Sequence, residues 1–166
     1  AYGKNKVRAG VDDLLEMRIA GLDPLDFLPD EVLQRIDMGT PTRTATVTPD
    51  GTRLYALAPD ADEVRPVDLE GFATLPGIPV GDRPWAVAMH PAGTHIYVAN
   101  QGSGTISVID VRPDSPTYNR VVAMVPVGLG PSDVVVTPDG GRVIVANPGS
   151  EDLSILDSDL SSENFN

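Results

Sequence analysis

The chain has 166 residues, no cysteine, and 24 acidic against 12 basic side chains, for a formal net charge of −12. Such a surface repels phosphate backbones and anionic bilayers, which argues against a nucleic-acid partner. The missing cysteines exclude disulfides, zinc–thiolate sites and c-type haem attachment within the chain, and no apolar run approaches the ~20 residues of a membrane helix.

The length suits one domain. Glycine and proline number 16 each while 41% of the residues are hydrophobic, the mixture of a turn-dense folded chain. Residues 1–30 read as an N-terminal extension. Within it Val11, Leu14, Leu15 and Ile19 fall at helical spacing, with Asp12 and Asp13 in the first turn and Arg18 near the end. This predicts a short amphipathic helix with a favourable dipole arrangement, stopped by Gly21. Asp23-Pro24 and Leu28-Pro29-Asp30 signal turns. Glu31 to Met38 (EVLQRIDM) then reads as an outer β-strand whose inner partners lie elsewhere.

From Met38 onward the sequence repeats. A glycine stands ten residues before a proline three times: Gly39 and Pro49, Gly81 and Pro91, Gly128 and Pro138. Nineteen residues after each proline comes an aspartate: Asp68, Asp110, Asp157. The copies are offset by 42 and then 47 residues, the extra five falling in the polar insert RPDSPTYN. Constant spacing within a unit, with variation in a loop, marks a repeated supersecondary unit.

Each unit divides into short strands. The pattern predicts strands near 44–49, 53–58, 86–90, 95–99, 105–110, 121–127, 133–137, 142–146 and 153–157. The runs Ile96 to Ala99 and Val143 to Ala146 are almost wholly apolar, as strands covered on both faces are. Four antiparallel strands per unit of 40 to 50 residues describe a β-propeller blade. The expected fold class is therefore all-β: about three four-stranded antiparallel blades over 31–157, with a helical extension before them and a polar tail at 158–166.

Tyr97-Val98-Ala99-Asn100 followed by Gly104-Thr105-Ile106-Ser107-Val108-Ile109-Asp110 resembles the YVTN-type β-propeller repeat. Ile144-Val145-Ala146-Asn147 with Leu153-Ser154-Ile155-Leu156-Asp157 is a second match, and Leu54-Tyr55-Ala56-Leu57-Ala58 with Val67-Asp68 a third that lacks the Asn and the Gly-Thr turn. The resemblance covers roughly 31–157. It implies an exported or cell-surface protein, periplasmic or extracellular; some members resemble lactonases or haem-carrying propellers of periplasmic redox enzymes. Three blades are too few for a closed ring. The missing strands are expected from a longer chain, from a second copy, or from another propeller subunit.

Chemistry-bearing residues are sparse. His90 and His95 flank a turn, but the equivalents of His90 are Thr48 and Thr137, so both read as turn residues and not as metal or haem ligands. Asp68, Asp110 and Asp157 recur in every blade, which points to a structural task such as accepting turn amides. Asn100 and Asn147 are expected to brace the turn after the second strand. Trp85 sits where it can line a central opening, although packing between blades is the plainer role. Ser103 and Ser107 have no base placed beside them by any motif. The inner-strand positions Thr44, Thr46, Trp85, Val87, Asp133 and Val135 supply few titratable groups. No catalytic, cofactor-binding or metal site is therefore assigned, no metal, haem or quinone is expected on this chain alone, and the leading expectation is a non-enzymatic scaffold for protein contacts. The alternative is a piece of a propeller enzyme, lactonase-like or redox, whose active site lies mostly outside this chain.

Overall fold

The structure, a computed structural model, describes residues 35–159. The expected helix at Val11 to Ile19 and most of the polar tail lie outside the described residues. So do residues 31–34 of the expected first strand, and its remainder up to Met38 forms no strand.

Among the described residues twelve strands form three antiparallel sheets in chain order. The first holds β1 (Ala45–Val47), β2 (Arg53–Ala58), β3 (Glu63–Asp68), β4 (Ala73–Thr74) and β5 (Ile78–Pro79). The second holds β6 (Pro84–Met89), β7 (His95–Asn100), β8 (Thr105–Asp110) and β9 (Arg120–Pro126). The third holds β10 (Asp133–Val136), β11 (Arg142–Asn147) and β12 (Asp152–Asp157). Sequential neighbours pair in each sheet except β4 and β5, which both pair with β3, and β6 lies against β1 and β2 on one side and against β10 on the other. This is radial stacking of propeller blades, with β1, β6 and β10 innermost.

The first hairpin of every blade turns the same way. Gly51, Gly93 and Gly140 each donate to the carbonyl three residues earlier, all at 2.8 Å, and each has φ near +70°. A side chain is strained in that conformation, which is why Pro-x-Gly recurs there.

Alternation in the middle blade builds two cores. Ile96 and Val98 of β7 face the first blade, packing with Tyr55, Leu57 and Val64. Tyr97 and Ala99 face the third, packing with Val134, Val143 and Val145. All of these are essentially buried, and each large one contributes about 1.5–3 kcal/mol by leaving water. The run Ile96 to Ala99 is apolar throughout because a blade lies on each side of it.

Two sequence expectations need correction. The strand expected at 44–49 is Ala45–Val47, because Thr48 already opens the turn with its amide on the Arg53 carbonyl. In the run Val143 to Ala146 one face packs against a blade among the described residues: Val143 and Val145 are buried, Ile144 and Ala146 are half-exposed, and Val135, Leu153 and Ile155 are 49, 66 and 61% exposed. The strand β3 was not expected at all. Its Pro66 argues against a strand, yet the Pro66 carbonyl accepts from Leu75 on the outer side of the blade. The proline nitrogen faces that same side, where the ladder breaks between β4 and β5, so the missing N–H costs no bond to β2.

Tyr97 carries a testable consequence. Its hydroxyl is buried without a partner among the described residues, and burial pushes its pKa up to about 12. Tyr97→Phe should raise stability by about 1 kcal/mol. Urea denaturation of both proteins measures it; a loss above that size would mean that the hydroxyl has a partner.

Candidate functional site

The inner strands begin at equivalent points of the repeat, and this builds one site. The offsets of 42 and 47 residues align Arg43 with Trp85 and Ser132, and Thr44 with Ala86 and Asp133. All six, with Val87, line an open cleft of about 430 Å³ where the three inner strands start. Each blade contributes two equivalent residues at or near the start of its inner strand to one level of the ring. These positions differ in chemistry from blade to blade, whereas the core positions stay apolar.

Two groups dominate the cleft. Arg43 Nε donates to the Trp85 carbonyl at 3.1 Å, and its guanidinium carbon lies 3.2 Å from the Trp85 ring centroid. Its terminal nitrogens carry no hydrogen bond or ion pair among the described residues. On the third blade Asp133 is exposed, and Oδ1 accepts from the Val134 amide at 2.9 Å. Arg43 and Asp133 form no ion pair with each other, so the cation and the carboxylate remain separate features of the walls.

Trp85 is where it is because of a bulge. Pro84 pairs with Asn100 and Ala86 with Ala99, so Trp85 is an extra residue without a partner in the ladder. Bulges turn a side chain out of the regular pleat and free its backbone. Here the freed carbonyl receives Arg43.

Of the inner-strand positions singled out in the sequence, Thr44, Trp85, Val87 and Asp133 come together here; Thr46 and Val135 do not line the cleft. Sequence reasoning missed Arg43, Ala86 and Ser132. Arg43 stands just before the first expected strand, and the repeat register with Trp85 was the signal that could have found it.

The other candidates lie apart and are bound into turns. His90 Nδ1 accepts from the Ala92 amide at 3.1 Å, so Nε2 carries the proton and donates to the Gly140 carbonyl at 3.1 Å. That ring ties the second blade's turn to the third's. His95 pairs across the ladder with Asp110, at the register position where Arg53 faces Asp68 and Arg142 faces Asp157. Burial lowers its pKa, against the pull of Asp110. Among the described residues no three His, Cys, Asp or Glu side chains converge on a point that would hold a metal.

Asp68, Asp110 and Asp157 each accept from the amide two residues on, at 3.0–3.1 Å. Asp110 does more. Its buried carboxylate also receives Arg112 Nε and Nη2, Ser115 Oγ and Thr117 Oγ1, and so folds the RPDSPTYN insert onto itself. The amide of Asn100 spans its hairpin to Thr105 and Ser107, and Asn147 does the same to Asp152 and Ser154. Ser107 is therefore a bracing residue, and Ser103 bonds Thr105. In the first blade the equivalent of Asn100 is Ala58, and the equivalents of Thr105 and Ser107, Glu63 and Arg65, bond each other along β3.

A family model described as Lactonase, 7-bladed beta-propeller matches residues 67–165, more than half of the chain. The chain belongs to the seven-bladed β-propeller lactonase family. No match is found among curated proteins. Solved structures similar to this lactonase-family chain include Kuenenia stuttgartiensis hydrazine synthase, at 26% identity and a TM-score of 0.64 over 78% of this chain and 36% of that one. A putative 6-phosphogluconolactonase from Bacteroides uniformis aligns at 19% identity and a TM-score of 0.68, over 82% of this chain and 42% of that one. The Pseudomonas aeruginosa periplasmic gluconolactonase PpgL aligns at 22% identity and a TM-score of 0.64, over 73% of this chain and 36% of that one. The last two likenesses speak for the fold alone. The chain spans well under half the length of these similar structures.

Proposed function

We propose that this chain forms part of a propeller hydrolase that opens a sugar lactone in the cleft at the start of the inner strands. The observation that carries the reading is the cleft itself: within a lactonase-family propeller, a guanidinium whose terminal nitrogens have no partner among the described residues and a carboxylate share one open site. Asp133 acts as general base. It takes a proton from water as the water oxygen bonds to the lactone carbonyl carbon. The acyl carbon–ring oxygen bond then breaks, the proton passes to the ring oxygen, and a hydroxy acid leaves. Negative charge develops first on the carbonyl oxygen; the acid formed then gives its own proton to solvent and becomes a carboxylate, and Arg43 is the group able to meet both charges.

The printed names of PpgL and the Bacteroides protein support the substrate class, and that of PpgL supports a periplasmic setting. Blades from beyond this chain complete the ring, and the YVTN-type repeat remains our reading of the unit, supported by the Asn100 and Asn147 braces. The scaffold role has no observation behind it. A subunit of a redox assembly is a second reading, favoured by the 26% identity to hydrazine synthase.

The test is ring opening of glucono-δ-lactone and of its 6-phosphate, followed by acid release at constant pH. The expected result is a rate above that of buffer, proportional to protein. A rate equal to that of buffer with both lactones would sink the hydrolytic reading.

A further inference from the structure

Arg43 and Trp85 come from different blades, yet they form one unit. The bulge removes Trp85 from the ladder, and its carbonyl takes Arg43 Nε while its ring takes the guanidinium face. Stacking on an aromatic ring and a backbone bond together fix the plane of a side chain that otherwise has many rotamers. The terminal nitrogens then present a ready fork, the geometry that receives a carboxylate or a phosphate through two parallel bonds. The ring face covered by Arg43 is not open to a sugar. Trp85 therefore serves as a shelf for the cation and not as a stacking platform for the ligand.

The chain's net charge of −12 opposes anion binding at long range. At physiological salt that field is screened beyond about 8 Å, so a fork placed in direct contact outweighs it. On the opposite side, Ser132 and Asp133 offer a hydroxyl and a carboxylate to the hydroxyl groups of the same ligand.

We propose that Trp85 is a positioning residue that holds Arg43 as the receptor for the anionic group of a small polyhydroxy acid. The proposal rests on the reading of this cleft as the ligand site, but it does not require hydrolysis. The anionic group is a carboxylate or a phosphate, which share the chemistry that the fork recognises.

Trp85 is the only tryptophan of the chain, so its fluorescence reports directly on Arg43. The protein is titrated with gluconate, 6-phosphogluconate, inorganic phosphate and glucose, with calorimetry alongside. The anions should change the emission, and glucose should bind at least about tenfold more weakly than gluconate. Comparing gluconate with inorganic phosphate tells which anionic group the fork takes. Arg43→Gln should weaken anion binding about 10- to 100-fold. Arg43→Lys, which keeps the charge and loses the fork, should not restore it. By calorimetry Trp85→Leu should weaken binding several-fold, and Trp85→Phe should recover most of the loss, a rescue that simple packing would not require. Glucose binding as well as gluconate overturns the proposal, as does unchanged binding in Arg43→Gln or in Trp85→Leu, or an absence of anion binding altogether. Anion binding without lactone hydrolysis supports the proposal and counts against the hydrolytic reading alone.

Discussion

Replacing Asp110 with alanine is expected to lower stability by about 3 kcal/mol, a fall in Tm of roughly 6–12 °C for a chain of this length. The carboxylate is fully buried and holds five donors: the Arg112 amide, Nε and Nη2, and the Ser115 and Thr117 hydroxyls. Removing it releases the insert between β8 and β9 and takes from the Ser115 and Thr117 hydroxyls the acceptor they share, leaving them bonded to each other. The pair Arg53–Asp68 at the equivalent position is the control. Its side chains are 30% and 27% exposed, and a pair of that kind is worth about 0.2–1 kcal/mol. Chemical denaturation of both variants decides the matter, and the argument fails if Asp110→Ala costs no more than Asp68→Ala.

The same carboxylate predicts a pH dependence. The bonds from Arg112, and then those from Ser115 and Thr117, hold the Asp110 carboxyl far below the usual carboxylate range despite its burial. A folded value depressed below the unfolded one adds stability that is complete above the unfolded value of about 4. That stability drains away as pH falls from there toward the folded value. The native chain should therefore lose stability more steeply than Asp110→Asn in acid below about pH 4. Melting curves across that range measure the difference in slope.

Asp133→Asn is expected to slow lactone opening by about 10²- to 10⁴-fold, the usual worth of a positioned general base. The change keeps the size of the side chain and its acceptor for the Val134 amide, so the fold should not suffer. Asp133 is exposed, and no other carboxylate among the described residues lines the cleft. Rates measured with saturating lactone should show the loss in kcat and little change in KM, because the proton is taken only as the bond to water forms. A variant with full kcat would remove Asp133 from the chemistry.

Local pattern alone was enough for the blades. The Pro-x-Gly turns, the aspartate nineteen residues on and the apolar second strands recur at fixed spacing, and they placed most strands to within two residues. The logic holds because turn chemistry and period-two burial act over a few neighbouring residues. The pattern failed at β3, a strand that has to tolerate Pro66. Its tolerance depends on which edge the proline nitrogen faces, and a break in the outer ladder settles that.

The cleft was less legible. Trp85 and Asp133 could be placed on inner strands, but the bulge that frees Trp85 has no signature in the sequence, since it arises from how Pro84 and Ala86 pair with Asn100 and Ala99. Arg43 lies 42 residues from Trp85, and no local rule joins them. They meet because stacked blades bring equivalent starts of successive inner strands to one level around the axis. Short-range forces specify each blade, while the site is a property of the stacking.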